Sequence, residues 1–107
     1  MGRIIAIDFG TANSSMAILK NNELLVIPNS EGELATPSVV SFSMDGNLLV
    51  GKSAKRQAVI NPERTIFSVK RKIGTNYIYT IDDKKYTPTE ITSLLLKKLK
   101  YDAEHFL

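Results

Sequence analysis

IIAIDFGTANSSMAIL, residues 4–19, is the stretch on which the fold turns. An apolar run from Ile4 to Ile7 is cut by Asp8, and Gly10, Thr11, Ala12 and Asn13 intervene before apolar residues resume at Met16. Two short β-prone runs, Ile4 to Phe9 and Ser15 to Leu19, about a Gly-Thr-Ala-Asn turn form the pattern of an antiparallel hairpin. A glycine straight after a strand lets the backbone approach a ligand closely. The amides of Gly10 to Asn13 then suit a phosphate. Asp8 at the strand end suits a magnesium ion held through water, because magnesium takes one or two carboxylates together with phosphate oxygens. The same residues suit a plain hairpin with an Asx-type turn, and spacing alone leaves both readings open.

Working outward, Glu23 to Ile27 reads as a third strand after Asn21-Asn22, and Pro28 to Gly32 as a loop. Val39 to Ser43 and Leu48 to Val50 flank Asp45-Gly46, a strong tight-turn dipeptide, and make a second hairpin. From Lys52 the period changes. Ala54, Ala58 and Val59 fit a short helix that stops near Asn61, since Pro62 disfavours helix in the residue before it. Pro62 with Asn61 as N-cap predicts a second helix running to about Ile73, where Gly74 closes it. Tyr77 to Ile81 and Lys85-Tyr86 about Asp82-Asp83 predict a third hairpin. Thr87-Pro88-Thr89-Glu90 is a capping box, and Ile91, Leu95, Leu99, Ala103 and Phe106 recur at helical spacing behind it. This last helix has a start signal and no stop signal, so the chain reads as a piece of a longer protein.

Composition narrows the chemistry. With 43% hydrophobic and 23% charged residues in 107, the chain suits one modest globular domain rather than a disordered segment. It has no cysteine and one histidine, His105, which removes disulfides, thiol nucleophiles and any multi-histidine or cysteine metal site. His105 itself suits a favourable charge at the negative end of a helix dipole. No uncharged apolar run reaches the ~18 residues of a membrane span, and Asp8 interrupts any signal-peptide core, so the expected compartment is the cytoplasm. Residues 52–72 carry seven basic side chains against one acidic. That run suits either a solvated face or a phosphate or nucleic-acid partner.

Within the run, IFSVKRKI, residues 66–73, carries a second signal. In that predicted helix, at about 100° per residue, Ile66, Phe67, Val69 and Ile73 enclose Lys70, while Arg71 and Lys72 fall outside the apolar arc, so Lys70 is the cation on the inward face. A lysine on the inward face must extend to solvent or meet a negative partner, because an unpaired buried charge is costly. Snorkelling and phosphate contact both stand on periodicity alone.

Taken in order, IIAIDFGTANSSMAI (4–18), EGELATPSVVSF (31–42), VGKSAKRQAVINPERTIFSVKRKIG (50–74) and ITSLLLKKLKYDAEHFL (91–107) resemble the 70-kilodalton heat-shock chaperones, the DnaK family. The resemblance covers nearly the whole chain. It implies an α/β fold, the first part of lobe I of an actin-like, ribonuclease H-like ATPase, with a mixed sheet and flanking helices. Residues 1–107 would be an incomplete N-terminal portion of that nucleotide-binding domain, with the lysine on a helix and a final helix over 88–107. By the same resemblance Asp8 matches the aspartate of the magnesium water shell. Gly10, Thr11 and Asn13 match the loop about the β- and γ-phosphates, Lys70 the lysine that positions the γ-phosphate and attacking water, and Arg71 an arginine facing the nucleotide cleft. Position 12 is Ala where the family usually has a second Thr, so only its amide is left to serve the phosphate.

The segment between Gly74 and Thr87 is shorter than in the main DnaK type, which implies a divergent or specialised member. Implied cofactors are ATP or ADP with Mg2+. Implied partners of the whole protein are unfolded polypeptide clients, a J-domain co-chaperone and a nucleotide-exchange factor, with neither nucleic acid nor membrane. Alone, the chain is expected to be inactive as an ATPase. It is expected to self-associate through unpaired sheet edges and an unpartnered apolar stripe on its last helix. Rival readings are a bacterial actin-like filament ATPase, which shares the GTAN turn, a sugar kinase of the same superfamily, and a small basic binding module using Lys52 to Lys72.

Overall fold

A computed structural model of the protein describes residues 4–107; residues 1–3, the start of the expected 1–107 unit, lie outside the described residues. The opening stretch folds as read. Strand β1 (Ile5–Phe9) pairs antiparallel with β2 (Asn13–Lys20), Phe9 opposite Ser14 and Ile5 opposite Ile18. β2 turns through Asn21 and Asn22, both at positive φ, into β3 (Glu23–Ile27). Two consecutive left-handed residues are what a type I′ hairpin needs, and Asn tolerates that region better than most side chains. A two-residue strand, β4 (Thr36–Pro37), continues on the edge of β2 where β3 leaves off, pairing with Asn13 and Ser14.

The second sheet has the order β6–β5–β7. Strands β5 (Val39–Phe42) and β6 (Leu48–Val50) form the hairpin expected about Asp45-Gly46. Helix α1 (Lys52–Ile60) then packs on β5 and ends at Asn61, ahead of Pro62. Strand β7 (Thr65–Phe67) returns to the other edge of β5. A separate hairpin, β8 (Tyr79–Ile81) and β9 (Lys84–Tyr86), turns on Asp82 and Asp83, again both at positive φ. Helix α2 (Pro88–Phe106) follows, opened by the capping box: Thr87 accepts from the Glu90 amide, and Glu90 accepts from the Thr87 amide. Among the described residues no helix is long and apolar enough to cross a membrane.

The predicted helix from Pro62 to Ile73 does not form. Pro62–Arg64 is a single 3-10 turn, residues 65–67 are strand, and Val69–Lys72 is a second 3-10 turn. Thr65, Ile66 and Phe67 are β-branched or aromatic, and β5 offers them a free edge: Val39, Val40 and Ser41 lie opposite Phe67, Ile66 and Thr65. Pairing there buries Ile66 and satisfies the backbone across the strand, which outweighs the local preference set by Pro62. Ser68 at φ 54 and ψ 39 then ends the strand. The angular reading of residues 66–73 lapses with the helix. Val69, 2% exposed, is the inward residue, whereas Lys70 and Ile73 are exposed.

Helix α2 underlies both sheets. Ile91 and Leu95 join Val40, Val50, Ile66, Val69 and Ile81 in one apolar cluster, while Leu99 and Ala103 join Met16, Ile18 and Ile27 in another. The stripe expected to lack partners is therefore buried, apart from Phe106 at 48% exposure, because both sheets turn their apolar faces onto this one helix. What stays open is the other face and the edges of the first sheet. Leu19, Leu24 and Val26 are exposed, and β1 and β3 each have a single neighbour among the described strands.

The β8–β9 hairpin is tied to the second sheet by one buried cation. Arg64 donates Nε to Phe42 O at 2.8 Å and Nη2 to Ser43 O at 2.8 Å, and both terminal nitrogens meet the Asp82 carboxylate. A planar guanidinium can satisfy two carbonyls and a bidentate carboxylate together. The pair holds the Asp82 carboxyl below the usual carboxylate range, chiefly through the hydrogen bonds from Arg64.

Truncation at Leu99 should cost about 2–5 kcal/mol in urea denaturation, because it opens a cavity beneath the first sheet. Phe106→Ala should cost less than about 0.5 kcal/mol. An equal loss at the two positions would show that the helix stripe is not buried as described. For Asp82, the lowered folded-state value means that its contribution is complete above the ordinary carboxylate range and is lost as pH falls through the lowered value. Asp82→Asn should therefore melt earlier than the parent at pH 7, and the gap in Tm should begin to narrow below about pH 4 and close as pH falls through the lowered value. A gap independent of pH would dismiss the ion pair as its origin.

Candidate functional site

Residues 10–13 form a closed turn. The Gly10 amide donates to Asn13 O at 3.1 Å, and a Cβ added at Gly10 would lie 2.3 Å from that same oxygen, so the turn admits only glycine at this position. No described residue accepts a hydrogen bond from the amides of Thr11 or Ala12. Free amides on a tight turn are donors for an anion.

The loop is braced from the 29–38 segment. Asn29 accepts from the Glu31 and Glu33 amides through Oδ1 and donates Nδ2 to Thr36 Oγ1 at 2.9 Å, which shapes the loop and leads the chain into β4. Ser38 follows, and its amide donates to Ala12 O at 2.9 Å. A cavity of about 120 Å³ lies beside the turn, bounded by Thr11, Ala12 and Asn13 on one side, by Phe67 and Ser68 on another, and by Lys55. The two stretches singled out in the sequence thus meet across one small space. Ser68 holds a left-handed conformation uncommon outside glycine, asparagine and aspartate, and it redirects the chain into the 3-10 turn that carries Lys70.

Not every residue picked from the sequence lines this space. Lys70 and Arg71 lie on the exposed side of the 69–72 turn, and Asp8 is exposed on the outer face of β1, opposite Ser15. Among the described residues, none of these three has an ion-pair partner. The reason that placed Lys70 inward was a helix that does not form; its exposure leaves the ammonium solvated and able to extend toward a ligand. The described residues contain no group of three His, Asp or Glu side chains able to hold a metal ion. A divalent cation at Asp8 would accordingly need water and ligand oxygens for the rest of its shell.

Two residues that sequence reasoning did not single out belong to the site. Lys55 is the cation bordering the cavity, and Ser38 is buried against the loop. A serine inside the apolar run that follows Thr36-Pro37 was the available signal for Ser38. Three of the seven cations between Lys52 and Lys72 are engaged internally. Lys52 pairs with Glu33 at 2.8 Å and holds that carboxyl below its usual range, Arg64 pairs with Asp82, and Lys72 sits 4.6 Å over the Tyr77 ring. Lys55, Arg56, Lys70 and Arg71 supply the remaining positive charge.

A sequence model of the family described as Hsp70 protein matches residues 4–81. The match takes in the 10–13 turn, Ser38, Lys55 and the 68–72 segment, and stops at the end of β8.

Gly10→Ala should force the turn open, since the clash is with backbone rather than with a movable side chain. A loss of about 1–3 kcal/mol is expected by chemical denaturation, with amide resonances of residues 10–14 displaced and those of α2 retained. A variant as stable as the parent, with unmoved loop resonances, would refute the steric account.

Proposed function

Because this chain belongs to the Hsp70 family, whose sequence model matches most of it, we propose that it is the first part of lobe I of an actin-like nucleotide-binding domain in an ATP-dependent chaperone of the DnaK type. The observation that carries the reading is the meeting of the 11–13 turn, with its two free amides, and the 67–68 segment leading to Lys70 across one cavity. In this reading the amides of Thr11 and Ala12, with Gly10 and Asn13 shaping the turn, hold the β- and γ-phosphates of ATP, or the β-phosphate of ADP. Asp8 orients waters of a magnesium ion, Lys70 sets its ammonium against the γ-phosphate and the attacking water, and Arg71 faces the nucleotide cleft. Bound magnesium nucleotide supplies the phosphoanhydride and neutralises part of its charge. The chain's own task is positioning and electrostatic stabilisation. Ala12 offers an amide but no hydroxyl, which lowers the number of phosphate contacts by one against a threonine.

The wider reading goes with the family: coupling of ATP turnover to unfolded-peptide clients, a J-domain co-chaperone, a nucleotide-exchange factor and a cytoplasmic location. Self-association of this chain rests on the open edges and outer face of its first sheet rather than on α2.

Titration of the 107-residue chain with magnesium tripolyphosphate, followed by amide resonances, tests the phosphate reading. Saturable shifts centred on Thr11 to Asn13 are expected, with a Kd on the order of 1 mM because few contacts are available. A response spread evenly over Lys55, Arg56 and the other exposed cations, or no response, would sink it. The chain should not turn over ATP. Magnesium-dependent hydrolysis that Lys70→Ala abolishes would contradict the expectation that this chain alone is inactive.

A further inference from the structure

The carbonyls of the 10–13 turn raise a question that the free amides do not answer. A phosphate cradle needs its N–H groups directed at the anion and its C=O groups directed elsewhere, yet a turn without regular pairing has little of its own to fix either. One buried side chain meets that need. Ser38, 2% exposed, donates its hydroxyl to Gly10 O at 2.9 Å and its amide to Ala12 O at 2.9 Å. Its Oγ also lies 2.8 Å from Ser14 Oγ, and Ser14 is buried as well.

The donor assignment follows from valence. A hydroxyl has one proton, and the Gly10 carbonyl can only accept, so the Ser38 proton is committed to Gly10. Ser14 must then donate to Ser38 Oγ, which makes a chain from the Ser14 hydroxyl through the Ser38 hydroxyl to the Gly10 carbonyl. Hydrogen bonds in series polarise one another, and a carbonyl that accepts a bond makes the N–H of its own peptide a better donor. The peptide of Gly10 O carries the Thr11 N–H, one of the two free amides. In a planar trans peptide the C=O and N–H point opposite ways, so anchoring Gly10 O on Ser38 also fixes the direction of the Thr11 N–H.

We propose that Ser38 is the positioning residue of this phosphate loop: the Ser14–Ser38–Gly10 relay sets the Gly10–Thr11 peptide plane and polarises the Thr11 amide as an anion donor. The inference rests on the phosphate-loop reading for its ligand, but its effect on the loop stands without one. Ser38 touches no reacting atom and acts through the backbone of residues 10–12. Ser14 contributes through Ser38, and the Ser38 amide bond to Ala12 O pins the far side of the turn, independent of the side chain.

Three variants of the full 107-residue chain test this, with amide hydrogen exchange at Gly10, the Thr11 amide 15N resonance and magnesium tripolyphosphate affinity as readouts. Ser38→Ala should speed exchange of the Gly10 amide about tenfold, as expected for loss of one ordinary hydrogen bond, move the Thr11 resonance and weaken tripolyphosphate about tenfold. Exchange at Leu95 and Leu99 in α2 should not change. Ser38→Thr, which keeps the hydroxyl, should restore all three readouts, and Ser14→Ala, which removes only the polarising donor, should move the Thr11 resonance with a smaller change at Gly10. Loop exchange, Thr11 resonance and affinity all unchanged in Ser38→Ala would overturn the inference, as would loosening of the loop only in step with α2. Should Ser38→Ala not fold, Ser14→Ala decides: a displaced Thr11 resonance supports the relay and an unmoved one refutes it. If the parent chain ignores tripolyphosphate while Ser38→Ala still loosens the loop selectively, the nucleotide reading fails and the role of Ser38 in the loop conformation stands.

Discussion

Burial of one face of α2 is the constraint on which the rest of the molecule depends. Two small sheets, neither large enough to enclose a core, share this helix: Ile91 and Leu95 beneath the second, Leu99 and Ala103 beneath the first. A helix of 19 residues spans about 28 Å, long enough to serve both in sequence. Because Leu99 and Ala103 seat the first sheet while Ile91 and Leu95 seat the second, the 10–13 turn on the first and the Ser68 bend on the second are held at a fixed separation, and the cavity between them follows from that seating. A buried charge reinforces the arrangement: Asp102, 3% exposed, is met by Lys98, whose ammonium also reaches Ser30 in the loop that leads to β4.

The candidate site is built from backbone more than from side chains. Its free donors are amides, and the Thr11 amide takes its direction from the Gly10 carbonyl of the same peptide, which is tied to Ser38. Charge enters at the borders. Lys55 adjoins the cavity, and Lys70 and Arg71 remain solvated on a short turn that a left-handed serine sets at an angle to its strand. A cation bordering a cavity lined by a turn with free amides suits a ligand whose charge is spread over several oxygens better than one with a single point charge. Engagement of Lys52, Arg64 and Lys72 within the fold leaves the basic run less extended than its sequence suggests, which weighs against a general polyanion surface.

Much of this was legible in the chain of letters. The three hairpins sit where Gly-Thr-Ala-Asn, Asp45-Gly46 and Asp82-Asp83 announce them, and Asn21-Asn22 turns into β3 as expected. The capping box at Thr87 and the apolar spacing behind it mark α2 from its first residue. The family resemblance is carried by the same motifs, and the family match spans three of the four segments quoted for it. The 62–73 segment went unread because Pro62 and the apolar spacing both suit a helix, while the free edge of β5 that claims residues 65–67 lies more than twenty positions earlier in the chain. The inward placement of Lys70 fell with that helix.

Turns, caps, the strand-forming runs and the family follow from the order of the residues, because each depends on neighbours within a few positions or on ordered motifs. Long-range packing, by contrast, makes residues 65–67 a strand, turns Val69 rather than Lys70 to the core, covers the stripe of α2 and sets Ser38 against the loop. Each of those outcomes turns on a partner far away in sequence, such as the 24 positions between Ser14 and Ser38 or the 28 between Gly10 and Ser38. A local pattern states what a residue can do; packing against distant partners selects which of those possibilities lowers the free energy most.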